Sequence, residues 1–270
     1  MTTLAEVLAL LEDWYPPHTA DDWDRVGLIC GDPSESVERI LLAVDPVQAV
    51  AAQAVEGRAD LLVVHHPLYL RGTSSVAATD PKGRVVHQLL RAGCALYAAH
   101  TNADAPATGV SESLALALGL PDSTPLEPDA SDPARGSGRI GDLAEPVSLR
   151  TFAERVREAL PHTAHGVRVA GDADRMIRTV ALCGGSGDFL LGRAREAGAD
   201  VYLTSDLRHH PASEFREEEG PALIDVAHWA AEWTWLPVLA DRLRAALAGR
   251  GANVEVRVSE IVTDPWTFRL

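Results

Sequence analysis

Three short stretches of this 270-residue chain set metal-competent or acid–base groups close together. In DLLVVHHP (60–67), His65 and His66 follow four apolar residues and Pro67 closes the run. In CALYAAHTNAD (94–104), His100 and Asp104 lie just past a second apolar run. In HWAAE (228–232), His228 and Glu232 are four residues apart at the start of a helical pattern, so both fall on one helix face. A helix N-terminus favours neutral imidazole, the form that ligates a metal. Each stretch has a plainer reading, either polar residues closing a strand or a solvated His–Glu pair. Taken together, four imidazoles and two carboxylates exceed what one four-coordinate structural zinc requires. They suit two divalent ions about 3.5–4 Å apart, with a carboxylate spanning both. Mixed nitrogen and oxygen ligation fits Zn, Mn, Fe or Co and argues against Ca or a thiolate site. Such a pair of ions lowers the pKa of a shared water and makes hydroxide available near neutral pH.

These groups need a scaffold that brings strand ends together. A short continuous apolar run such as Leu61–Val64 reads as a strand buried on both faces, the mark of a parallel sheet covered by helices. Open α/β sheets place ligands beyond the carboxyl ends of their strands, and His65 and His66 sit there. Successive strand residues face opposite ways, so the two rings converge only if the backbone turns at the strand end. The segments 37–46, 47–58 and 60–67 read as strand, helix and strand, a parallel unit with a right-handed crossover. Residues 67–83 form a long polar connection, a candidate lid.

The proline-rich stretch 121–146 reads as a domain junction, dividing the chain into lobes at 1–128 and 129–270, with GRIGDL (138–143) opening the second lobe. Ser148 is placed to cap a helix whose apolar positions Phe152, Val156 and Leu160 recur every four residues. Strands are expected at 179–183, 199–206, 222–227 and 254–262, with one long helix from His228 to about Gly249. The 199–206 strand ends at Asp206, followed by His209 and His210. The expected fold class is α/β: two intertwined α/β lobes of related topology, a duplication around a central metal cleft, with the C-terminal helix returning to the first lobe. The GGSG loop (184–187), including Ser186, presents backbone N–H groups suited to a phosphate or carboxylate, although a lone Gly-rich turn is a weak signal and a plain tight connection is the favoured reading.

A formal net charge of −15 disfavours nucleic acid and anionic membrane surfaces as partners. The three cysteines, Cys30, Cys94 and Cys183, are far apart with no CxxC pair, and Cys94 and Cys183 read as reduced buried thiols beside apolar runs, which points to a cytoplasmic setting. The N-terminus lacks a basic n-region and reads as a helix ended by Pro16-Pro17, and no apolar run approaches the length of a membrane span. His18, His87, His162 and His165 have no partner at metal-ligand spacing.

The ordered motifs WDRVGLICGD (23–32), DLLVVHHPL, AAHTNAD, CGGSG, DVYLTSDLRHH and IDVAHWAAE resemble the Nif-three-like family, also known as GTP cyclohydrolase I type 2 homologues or dinuclear metal-centre hexameric proteins. The resemblance runs over nearly the whole chain. It implies His65, His66, Asp104, His228 and Glu232 as ligands of two divalent ions. It also implies a toroidal homohexamer with the metals facing an internal cavity. His100, Asp206, His210 and Ser186 are then candidates for catalysis or substrate contact. The chain departs from the family pattern at Arg25, where Asn is usual, and at Ala227 and Ala231, which replace a Gly and a Ser. The function implied is a metal-dependent hydrolase of a small, nucleotide-like molecule. The competing function is a metal-storing, metal-delivering or scaffold protein without turnover.

Overall fold

Local signals start the elements where the sequence places them. Thr3 and Glu6 form a reciprocal capping box, Glu6 N donating to Thr3 Oγ1 (3.3 Å) and Thr3 N to Glu6 Oε2 (2.9 Å), and open helix α1 (Leu4–Trp14). The computed structural model describes residues 2–270. After α1 come β1 (Gly27–Cys30), β2 (Arg39–Ala43), α2 (Gln48–Glu56), β3 (Leu61–Val64), α3 (Pro81–Arg91), β4 (Ala95–Ala98) and a short α4 (Thr101–Asp104). Then follow α5 (Val110–Ala117), β5 (Thr124–Pro128), β6 (Gly136–Ser148), α6 (Leu149–Ala159), β7 (Val167–Ala170), β8 (Met176–Ser186) and α7 (Leu191–Glu196). The chain closes with β9 (Val201–Ser205), α8 (His209–Glu217), β10 (Ala222–Val226), α9 (His228–Trp233), α10 (Trp235–Gly249) and β11 (Glu255–Val258).

The chain divides into two compact units. The first holds the described residues through Ala103 together with Leu236–Thr263, and the second holds Asp104–Trp235 with Asp264–Leu270. The first unit's sheet has the order β1-β4-β3-β2-β11, parallel throughout except for β1, which runs antiparallel to β4. Leu41, Leu62, Val64 and Leu96 pack with Val50, Ala51 and Leu89 from α2 and α3 into its core. Each such fully buried aliphatic side chain contributes about 1.5–3 kcal/mol.

The second unit's sheet has the order β5-β6-β8-β9-β10-β7, with a parallel centre of β8, β9 and β10 and antiparallel flanks. Its core includes Ala181, Leu190, Ala194, Tyr202, Phe215 and Leu223. Ser148 accepts from Thr151 N at 3.1 Å and caps α6, whose Phe152 and Val156 are buried as the spacing predicts.

A shared device marks the relation between the two sheets. Asp60, entering β3, accepts from Glu38 N and Arg39 N at 2.8 Å each, and its carbonyl accepts from Ala95 N at 2.8 Å. Asp200, entering β9, accepts from Arg178 N (2.8 Å) and Thr179 N (2.9 Å), and its carbonyl accepts from Ala222 N at 2.9 Å. One aspartate thus ties the starts of three parallel strands in each unit.

Three expectations change. The unit boundary lies at residue 104, not at 129, and 121–146 is not a linker. Its prolines sit in and around β5 and the hairpin to β6, an edge position where a residue without an N–H is tolerated. The single long helix from His228 is two helices, because Pro237 lacks an N–H and its ring excludes the carbonyl of Trp233. Trp229 and Trp235 are buried, whereas Trp266 is exposed. Among the described residues no helix is long and apolar enough to cross a membrane.

Candidate metal centre

In the first unit, Ala43, Val64 and Ala98 lie in register across β2, β3 and β4. The residues two steps beyond them, Asp45, His66 and His100, therefore emerge at one end of the sheet, with His65 between. The strand end does turn, and both histidine rings converge. Ring centroids are 5.1 Å apart for His65–His66, 5.0 Å for His65–His100 and 5.5 Å for His66–His100. One nitrogen from each ring lies within 4.8 Å of the other two, close enough to share an ion.

Each ring is held through Nδ1. His65 donates to Ala99 O (2.9 Å), His66 to Asp45 Oδ1 (2.7 Å) and His100 to Asp24 Oδ1 (2.9 Å). A carbonyl or carboxylate can only accept, so Nδ1 carries the proton and Nε2 is the atom presented, the arrangement found around metal-ligating histidines. Thr263 Oγ1 donates to the other oxygen of Asp45.

Asp24 is buried and also accepts from Thr101 N (3.0 Å) and Thr101 Oγ1 (2.7 Å). Burial by itself raises its pKa, but the hydrogen bonds from His100 and Thr101 and the His100 charge outweigh it and hold the carboxyl far below the usual carboxylate range. The stability Asp24 contributes is therefore full above an ordinary carboxylate pKa of about 4 and is lost as the pH falls towards the depressed value. Urea midpoints measured from pH 7 down to pH 3 should fall more steeply below pH ~4 for the native chain than for Asp24→Asn. Parallel curves would mean that Asp24 is not the group responsible.

In the second unit, His228 opens α9 two residues beyond Val226, the last residue of β10. Its Nδ1 donates to Asp206 Oδ2 at 2.6 Å, and its Nε2 lies 2.7 Å from Oε1 of the buried Glu232. The hydrogen bond from His228 lowers the Asp206 pKa. Asp104 ends α4, and the thiol of Cys183 is pushed up to about 12 by burial, with the negative charges of Asp104 and Glu232 adding to the rise. That thiol is no thiolate ligand. The donors are imidazole nitrogen and carboxylate oxygen, a set that fits Zn, Mn, Fe or Co.

The GGSG loop is shaped by close packing. A Cβ on Gly184 would lie 2.6 Å from Val110 Cγ1, one on Gly185 would lie 2.5 Å from Glu232 Oε1, and one on Gly187 would lie 2.5 Å from Thr204 Oγ1. Gly184 N donates to Ser111 Oγ (3.3 Å), and the carbonyls of Gly185 and Gly187 accept from Thr204 and Tyr202. Ser186 is exposed at the end of β8, in register with Ser205. His210 is exposed, with its ring edge-on to His209 at 5.2 Å, and belongs to neither donor set described here. Ala227 and Ala231 are both buried. The sequence reading missed Asp24 and Asp45 as orienting groups. The signal was present, since Asp45 ends an apolar run and Asp24 lies in the WDRVG motif.

An α/β scaffold of two related units, each setting imidazole or carboxylate donors beyond the carboxyl ends of parallel strands, defines a class of protein with metal-competent sites. The Duf34/NIF3 (NGG1p interacting factor 3) family profile matches residues 2–265. A Streptomyces coelicolor protein named GTP cyclohydrolase 1 type 2 homolog is 51% identical over 269 residues, covering 99% of this chain and 94% of its own. A Mycobacterium tuberculosis protein of the same name is 37% identical over 371 aligned positions, covering 98% and 97%. A Staphylococcus aureus crystal structure superposes with a TM-score of 0.91 at 27% identity, covering 99% of both chains. A Bacillus cereus protein related to NIF3 shares the fold with a TM-score of 0.91 at 24% identity, covering 99% of both. The chain belongs to the Duf34/NIF3 family.

Proposed function

We propose that the chain is a dinuclear metal-dependent hydrolase of a small, nucleotide-like substrate, with His65, His66, Asp104, His228 and Glu232 holding two divalent ions. The observation that carries this reading is the common presentation of His65, His66 and His100, each fixed through Nδ1 so that Nε2 is offered, together with a His228 Nε2 set 2.7 Å from the Glu232 carboxylate, two donors that a cation would share. Bound divalent ions would supply an acidified water near neutral pH and polarise the electrophile. The chain's own groups do the rest. Asp45 and Asp206 orient His66 and His228, Asp24 orients His100, and the buried Glu232 contributes negative charge where a cation would be neutralised.

A planar base has a surface to use. Trp23 is about half exposed and sits edge-on to His100, ring centroids 5.8 Å apart. Its loop is tied down by Asp21 N and Asp24 bonding to Thr101. Stacking of a base on such an indole is worth about 1–3 kcal/mol. The relatives' name suggests GTP as the first substrate to try.

Elemental analysis of the purified chain is expected to find two divalent ions per chain; one tight ion, or none, contradicts the dinuclear reading. Metal-loaded protein screened over nucleotides and phosphoesters should turn over at least one, with loss in Glu232→Gln and with chelator. Full metal occupancy without turnover across that screen would favour metal storage or delivery instead. Assembly into a homohexamer is part of the same proposal, and a monomer mass by light scattering at micromolar concentration would remove it.

A further inference from the structure

We propose that Asp225 is a positioning residue for the His228 imidazole, acting through the backbone of Leu207 and the carboxylate of Asp206. Asp225 lies within β10, in register with Thr204 of β9 and Arg168 of β7, and is buried. A carboxylate buried on a sheet is costly unless every lone pair is used. Its Oδ2 accepts from His165 Nε2 (2.8 Å) and Arg168 Nε (2.9 Å), with the Arg168 NH2 group alongside. Among the described residues its Oδ1 accepts from one group, Leu207 N, at 2.8 Å.

That single bond lands at a strained point. Asp206, the residue before Leu207, has φ +57°, a left-handed conformation that a non-glycine residue holds only when its surroundings impose it. In that conformation Asp206 Oδ2 receives His228 Nδ1 at 2.6 Å, and Nε2 of the same ring faces Glu232 Oε1 at 2.7 Å. His165 and Arg168 therefore hold Asp225, Asp225 holds the Leu207 amide, and the amide holds the Asp206 geometry that orients the His228 ring. His165, without a partner at ligand spacing in the sequence, acquires a role three contacts away from the ring it serves.

The consequence for metal binding rests on His228 being a ligand, as proposed above, but the orientation of its ring does not. The test accordingly begins on metal-free protein. Nitrogen-15 histidine spectra should show a strongly hydrogen-bonded Nδ1 proton on His228 in the native chain, and that signature weakened or lost in Asp225→Ala. Co²⁺ titration should then show affinity lowered about 10–100-fold in Asp225→Ala, the range for loss of groups that orient a ligand. Asp206→Ala should show the same defect, and the double variant should be no worse than Asp206→Ala alone.

If Asp225→Ala fails to fold, His165→Gln and Arg168→Gln give the same readings at smaller amplitude. An unchanged His228 Nδ1 hydrogen bond with only a lowered melting temperature overturns the proposal, as do additive effects in the double variant. A perturbed His228 Nδ1 hydrogen bond in a chain that never binds metal at His228 would uphold the relay and overturn the proposed function instead.

Discussion

Glutamine in place of Glu232 is expected to remove at least one bound ion per chain and to lower divalent-metal affinity by at least about 100-fold. Loss of a group that merely orients a ligand costs about 10–100-fold, and Glu232 is proposed as a ligand itself. Its side chain is buried, with Oε1 2.7 Å from His228 Nε2, and its charge, like that of Asp104, is felt at the Cys183 thiol. Glu232 is buried, and keeping a buried carboxylate charged is costly until a cation arrives. Metal-free Glu232→Gln should therefore be no less stable than the metal-free native chain. Added Zn²⁺ should raise the native melting temperature, because a ligand that binds only the folded state stabilises it, and should leave the variant nearly unmoved.

Gly185→Ala gives an independent reading of the same pocket. Its Cβ would lie 2.5 Å from Glu232 Oε1, and the backbone φ of +69° already disfavours a side chain. It should weaken metal binding in the same direction by displacing the Glu232 carboxylate, without removing a donor atom. Zn²⁺ stabilisation of Glu232→Gln equal to that of the native chain would remove Glu232 from the ligand set.

Arg139→Met is expected to destabilise the second unit by about 3–5 kcal/mol, a large share of the total for a domain. Arg139 is among the most deeply buried large side chains, at 2% exposure. Its NH1 group donates to Gly136 O (2.9 Å) and Gly138 O (2.8 Å), and its NH2 group to Ala105 O and Pro106 O (3.0 Å each). Burial lowers its pKa, yet the guanidinium remains charged. Exchanging a buried ion pair for apolar residues is often harmless, because both partners leave together. Here the acceptors are backbone carbonyls that stay behind, each costing about 1–3 kcal/mol if left without a donor. Lysine supplies a point charge that cannot span four carbonyls in a plane, so Arg139→Lys should recover only part of the loss. A urea-unfolding shift below ~1 kcal/mol for Arg139→Met would show that water satisfies those carbonyls. Two of the four belong to the residues directly after Asp104, so metal uptake should weaken in both variants.

The sequence by itself determined the elements and the chemistry of the donors. Apolar runs at 61–64 and 95–98 specify buried strands, and His65, His66 and His100 follow them because polar rings cannot continue such a run. The four-residue spacing in HWAAE puts His228 and Glu232 on one helix face, and the structure brings Nε2 and Oε1 together there. Family membership was also legible, since six motifs occur in order. What the sequence left open were contacts between residues remote along the chain. The proline-rich break reads like a domain junction, but β5 pairs with β6 and β6 with β8, which makes both part of the second unit's sheet.

The unit boundary at 104 was likewise a matter of which strands pair and which helices return. The carboxylates that orient the histidines are 76 residues away for Asp24–His100, 21 for Asp45–His66 and 22 for Asp206–His228. Arg139 reaches a carbonyl 34 residues away, and the GGSG glycines are required by side chains from Val110, Thr204 and Glu232. Periodicity reports which side of an element faces the core; it carries no information on which distant element lies opposite. Only the packed sheets supplied those partners, and with them the tautomer of each ring.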